Sequence, residues 1–137
     1  MKEFEKKVFA EIENKKRAAR SVWEKGVLDY AIELFKDLVE ACDYSGVSCY
    51  DFVKDADSRK FDDALRNGAE NWSAFSWGAS SLIYNEDIAK RLCTPSELRR
   101  TKCGMKQPNS REDWLDCQAR ALAQAAPRLY WIAKGAL

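Results

Sequence analysis

The 137-residue chain contains no histidine. That removes Ser-His-Asp and Cys-His catalysis, imidazole-ligated zinc and a histidine switch near neutral pH. Proline and glycine are scarce, at 3 and 6, which disfavours collagen-like, linker-like and turn-dense all-β chains. No run of about 18 apolar residues occurs, so no membrane-spanning segment and no membrane partner are expected. The N-terminal stretch MKEFEKKVFAEIENKKRAAR is charged throughout and lacks the apolar segment of a signal peptide. Cys42, Cys49, Cys93, Cys103 and Cys117 include no CxxC pair, and an odd number fits a disulfide framework poorly. These features point to a cytoplasmic protein with free thiols, each packing as a small hydrophobe. Cys103, near Lys102 and Lys106, alone has the electropositive neighbours that activate a thiol.

Core material is present. Hydrophobic residues make up 46 % and aromatic residues 12 %, enough for one packed domain over residues 1–137 and too few residues for two. Apolar positions recur at the helical period of about 3.6 residues. Phe4, Val8, Phe9 and Ile12 begin a helix over 2–24, continued by Ala19, Val22 and Trp23, with Gly26 as a break or a tolerated interruption. Residues 27–42 form the clearest helix, with Val27, Ala31, Leu34, Phe35, Leu38 and Val39 on one face. Residues 43–58 read as a loop. A short helix over 59–67 is expected to end at Asn67-Gly68, a pair suited to a left-handed cap. Residues 69–84 are ambiguous: Trp72, Phe75, Ala79 and Ile83 share a helical face, but Gly78 and the serines weaken it.

Further on, Asn85, Thr94-Pro95-Ser96-Glu97 and Ser110 to Asp113 are helix start signals. A final long helix begins at 111, and Pro127 is expected to kink or end it near Ala126. Residues 128–133 are apolar enough to dock as another helical segment. The expected fold is an all-α, single compact domain of about six helices.

Charge is uneven along the chain. Residues 1–25 carry +3, residues 26–65 carry −6 and residues 66–137 carry +4. Within 90–111, seven cations stand against Glu97 alone: Lys90, Arg91, Arg99, Arg100, Lys102, Lys106 and Arg111. Trp72, Trp77 and Tyr84 lie just upstream, and basic residues interleaved with aromatics suit phosphates and bases. These ten residues are the candidate binding set. The bland alternative is a solvated basic face over aromatics that pack in the core. Asp87 to Arg100 superficially resembles the start of a helix-turn-helix, with Ile88, Ala89 and Leu92 where its first helix needs apolar or small residues. Arg99 and Lys102 occupy positions that should be apolar, and Cys93 stands where glycine is usual. An ordinary helix–cap–helix junction fits the same residues.

Catalytic signals are weak. Asp51, Asp55, Asp57, Asp62 and Asp63 lack the alternating spacing and turn glycine of a calcium loop. The six glycines are isolated, so there is no phosphate-binding loop. No catalytic residue, cofactor or metal is expected.

Three longer stretches carry a resemblance: NWSAFSWG at 71–78, LIYNEDIAKRLCTPSEL at 82–98 and PNSREDWLDCQARAL at 108–122. Together with WEKGV at 23–27 and Tyr30-Ala31, they resemble a family of small uncharacterised proteins carried by phages and mobile elements of gut Firmicutes. The resemblance covers residues 17–126 and implies no catalytic residues. It implies a setting in which small accessory proteins block host factors in the bacterial cytoplasm. The expected function is therefore a non-enzymatic interaction protein, such as an anti-defence inhibitor of a CRISPR or restriction nuclease. Its partner would be a host protein or nucleoprotein complex, with nucleic acid itself a further candidate. The basic segment 90–111 is one contact face, and the acidic stretch 26–65, resembling the carboxylate surface of a DNA mimic, is another. The alternatives are a small DNA-binding regulator using residues 86–102 and a nucleotide-sequestering protein.

Overall fold

The computed structural model describes residues 2–75 and 111–137, with side chains over 2–66 and 122–137. The described residues are all helical apart from their connections, with no strand among them. They form α1 (Glu3–Ala18), α2 (Val22–Ser45), α3 (Cys49–Asp55), α4 (Ser58–Phe75) and α5 (Arg111–Gly135).

The helix starts follow side-chain chemistry. At α1, the Glu5 carboxylate reaches back to accept the Lys2 N–H at 3.1 Å. The Ser21 hydroxyl accepts the Glu24 N–H at 3.0 Å and starts α2. This places the first break at Ala19 to Ser21, where Ala19 is extended, and not at Gly26. Gly26 is buried inside α2, and its cost of about 1 kcal/mol is offset by the apolar face that follows it. Gly46 closes α2 in the left-handed region, with φ of 70°. The Val47 N–H then reaches back to the Cys42 carbonyl at 2.9 Å, a Schellman closure that satisfies the helix end.

Two expectations are corrected downstream of α2. The stretch 43–58 contains α3, started by Ser48, whose hydroxyl accepts the Asp51 N–H at 3.4 Å. Seven residues are too few to display a period, and only Cys49 and Val53 are buried on this helix. Asp57 caps α4 by accepting the Lys60 N–H at 2.8 Å. That helix then runs through Asn67-Gly68 to Phe75 instead of ending there.

Pro127 lies inside α5, which continues to Gly135. Proline removes the donor that would reach the Ala123 carbonyl. Both residues are on the solvent side of the helix, where water can satisfy that carbonyl. Leu122, Ala125, Ala126, Leu129, Ile132 and Ala133 remain buried along the opposite stripe. Burying one large side chain such as Leu129 contributes about 1.5–3 kcal/mol, which sustains the helix across the proline.

Helix α2 is central, packed against α1, α3, α4 and α5. Its buried Val27, Tyr30, Ala31, Leu34, Phe35 and Leu38 meet Phe4, Val8 and Ile12 of α1 and the α5 stripe in one core. Phe61 and Leu65 of α4 join the same core. Edge-to-face rings reinforce the joints: Phe9 with Phe35 at 5.0 Å and Phe61 with Tyr130 at 5.5 Å between centroids. Polar ties cross between helices as well. Lys16 pairs with Asp29 at 2.7 Å, and Lys134 donates to the Lys54 carbonyl at 3.2 Å.

Candidate functional site

The packing of α1 and α5 against the start of α2 leaves an open groove of about 730 Å³. Its walls follow from helical spacing. Lys7, Glu11, Lys15 and Ala18 recur along one face of α1, and Arg128, Trp131 and Gly135 along one face of α5. Leu28, Ile132, Ala19 and Ala136 supply apolar surface. Small residues at Ala18, Ala19, Gly135 and Ala136 allow a ligand to approach the backbone closely.

The rim is aromatic and charged. Trp131 is 70 % exposed and Trp23 is 41 % exposed. Arg128 joins them, because its guanidinium carbon lies 5.5 Å from the Trp23 ring centroid while Arg128 and Trp131 both line the groove. The Arg128 Nη1 also donates to the Gln124 carbonyl at 2.7 Å. Two contacts thus fix the guanidinium, which lowers the entropy lost when it meets a partner. Lys7 and Lys15 add positive charge, while Glu11 and Glu24 add negative charge. Lys15 and Glu11 stand 3.9 Å apart, both about half exposed, so this pair contributes little to stability. An apolar floor with aromatic, arginine and mixed-charge walls can bind a protein side-chain cluster or stack a planar ligand.

None of the ten residues nominated by sequence has a described side chain. Trp72 falls in the last turn of α4 and Arg111 opens α5. Trp77, Tyr84, Lys90, Arg91, Arg99, Arg100, Lys102 and Lys106 lie outside the described residues, as does the helix-turn-helix-like stretch. The acidic stretch is described: Glu40, Asp43, Asp51, Asp55, Asp57 and Asp63 are exposed, with Tyr44 and Tyr50 between them. Asp62 is held by Arg66 at 2.7 Å, and this carboxylate raises the Arg66 pKa above its ordinary value.

The groove residues Arg128 and Trp131, and Trp23 beneath Arg128, were legible only in part. Trp23 reads as a continuation of the α1 stripe, yet it opens α2 and faces outward. Trp131 reads as part of an apolar docking segment. The missing signal is helical phase: once α5 runs through Pro127, the buried series Leu122, Ala125, Ala126, Leu129, Ile132 and Ala133 leaves Arg128 and Trp131 off the stripe.

Comparison with protein-family models, with curated proteins and with solved structures gave no match.

Proposed function

We propose that the chain is a non-enzymatic interaction protein, a single domain of about six helices over residues 1–137, that acts by covering a functional surface of its partner. The reading is that of an anti-defence inhibitor from a phage or mobile element, with a host protein or nucleoprotein complex as partner. The observation that carries the interaction part is Trp131, 70 % exposed beside a groove and next to an arginine already fixed on a second tryptophan. Exposed aromatic patches on soluble proteins mark interaction sites. Tryptophan and arginine dominate the affinity of protein interfaces. The inhibitor setting rests on the resemblance to phage and mobile-element proteins.

The test is affinity capture from lysate of a gut Firmicutes host, with and without nuclease, using wild-type chain beside the Trp131→Ala and Gly135→Leu variants. Gly135 lines the groove, and a Cβ placed there meets nothing within 4 Å. There is thus room for a Cβ at this position, and leucine adds bulk at a groove-lining site. A protein that survives nuclease, and is lost from both variants, is the expected result. Retention of that protein by both variants removes the groove from the reading. Recovery that nuclease abolishes reassigns the chain to nucleic acid and favours the DNA-binding regulator.

A further inference from the structure

Glu3, Lys7, Glu11 and Lys15 stand four residues apart along α1, and all four are exposed. Side chains at this spacing form one ridge on a helix surface. The ridge is therefore ordered negative, positive, negative, positive. Among the described residues, no ion pair engages Glu3 or Lys7. Glu11 and Lys15 meet only loosely, at 3.9 Å and about half exposed. Lys7, Glu11 and Lys15 also line the groove. Each charge can thus reach a second molecule without giving up a strong contact.

This order is complementary to its own reverse. Two such ridges laid antiparallel set Glu3 against Lys15 and Lys7 against Glu11, with the two-fold axis midway between Lys7 and Glu11. Helix geometry permits the match. Ridges of the i±4 kind on two helices lie side by side when the axes cross at about −50°, and both advance about 6 Å per step. A parallel pairing in register sets like charge on like. A parallel pairing slipped by one step leaves Glu3 of one copy and Lys15 of the other unmatched, and it does not close on itself. Antiparallel pairing alone satisfies all four charges within a closed symmetry. It also sets the positive N-terminus of each helix beside the negative C-terminus of the other. Charge order fixes register more than affinity. Apolar area comes from the same groove, where Trp131 is 70 % exposed and Ala18 and Gly135 are small.

We propose that a second copy of this chain docks on the α1 ridge, forming a two-fold dimer in which Glu3, Lys7, Glu11 and Lys15 of each copy face opposite charges of the other. The dimer rests on the charge order of α1 and not on the host-partner reading, which Trp131→Ala tests by capture. Because Lys7, Glu11 and Lys15 line the groove, a second copy and a partner protein take the same face in turn. Dimerisation therefore withholds the groove from a partner, and dilution or salt releases it.

The test follows the full-length chain by sedimentation velocity across concentration and salt. A dimer at low salt that dissociates as salt rises is expected, since exposed charges are screened over about 10 Å at 0.1 M salt. The wild-type dimer is also treated with a zero-length carbodiimide, digested and read by mass spectrometry. A link between Lys15 and Glu3 is expected. These residues lie about 18 Å apart along one helix, so the link forms only between copies. Charge reversal gives the second arm. Lys7→Glu/Lys15→Glu makes the ridge wholly acidic, and Glu3→Lys/Glu11→Lys makes it wholly basic. Each double variant alone is expected to be monomeric, and an equal mixture of the two is expected to dimerise. A wild-type chain of single-chain mass at low salt and high concentration overturns the proposal. So does a dimer without the Lys15–Glu3 link, or a double variant that dimerises alone as well as wild type does. Should a double variant fail to fold by circular dichroism, the wild-type link decides.

Discussion

The Arg128 guanidinium lies over the Trp23 indole, 5.5 Å from its ring centroid, and so joins the second half of α5 to the first turn of α2. One turn further along α5, Trp131 lines the groove on the same helical face as Arg128. This contact orders the part of the surface that the proposed function uses. A partner meets an arginine already in place, not one that must be ordered on binding.

Arg128→Ala is therefore expected to separate affinity from stability. The lost cation–π contact is surface-exposed, so unfolding free energy should fall by about 0.5–1 kcal/mol. Partner binding should weaken by about 2 kcal/mol or more, as for a central interface arginine. Urea denaturation and calorimetric titration with the captured partner measure the two quantities. A variant that loses as much stability as affinity would make Arg128 a structural residue only.

Pro127→Ala is expected to stabilise the chain. Proline within a helix costs about 3 kcal/mol relative to alanine. Alanine returns a donor to the Ala123 carbonyl and removes the ring's clash with the preceding turn. The more flexible unfolded chain takes back about 0.4–1 kcal/mol. A net gain of about 2 kcal/mol in urea denaturation is expected. A loss of stability would mean that Pro127 itself is needed to seat Leu129 and Ile132 in the core.

The buried faces provide a sharper check on the packing. Leu34 and Leu122 lie on opposing helices, 1 % and 4 % exposed, in the same core. Leu34→Ala and Leu122→Ala should each cost about 2–5 kcal/mol, through lost apolar transfer and the cavity left behind. The exposed Val22 is the control: Val22→Ala should change the melting temperature very little. Comparable losses in all three would place the core elsewhere.

Periodicity made these buried faces legible because they repeat over several turns. Val27, Ala31, Leu34, Phe35 and Leu38 stand out in sequence and are buried in the fold. Single-residue punctuation was less informative. Gly26 reads as a break or a tolerated interruption, Gly68 as an end and Pro127 as a kink or an end, and a helix continues through each. At Gly26 and Pro127, buried side chains on either side offset the local penalty. Ser21 and Ser48, less conspicuous residues, set real boundaries because each satisfies an otherwise free backbone donor. The groove was the least legible feature, since it is made by α1, α2 and α5 together. Neither Lys15 nor Trp131 has a sequence neighbour that announces the other.

Salt dependence distinguishes a protein partner from a nucleic acid. Each phosphate contact with Lys or Arg releases counterions and adds about −0.7 to −0.9 to the slope of log affinity against log salt. A groove built for a protein has little of this dependence, because Lys7, Lys15 and Arg128 share its walls with Glu11 and Glu24. The expected outcome is no binding to bare single-stranded or duplex probes even at low salt, with a shallow slope for the captured protein. Steep probe binding would instead support the nucleic-acid reading, and two double variants would then locate the phosphates. A slope flattened by about one to two units in Lys7→Ala/Lys15→Ala would place them at the groove. The same flattening in Arg99→Ala/Arg100→Ala would place them on the basic segment 90–111.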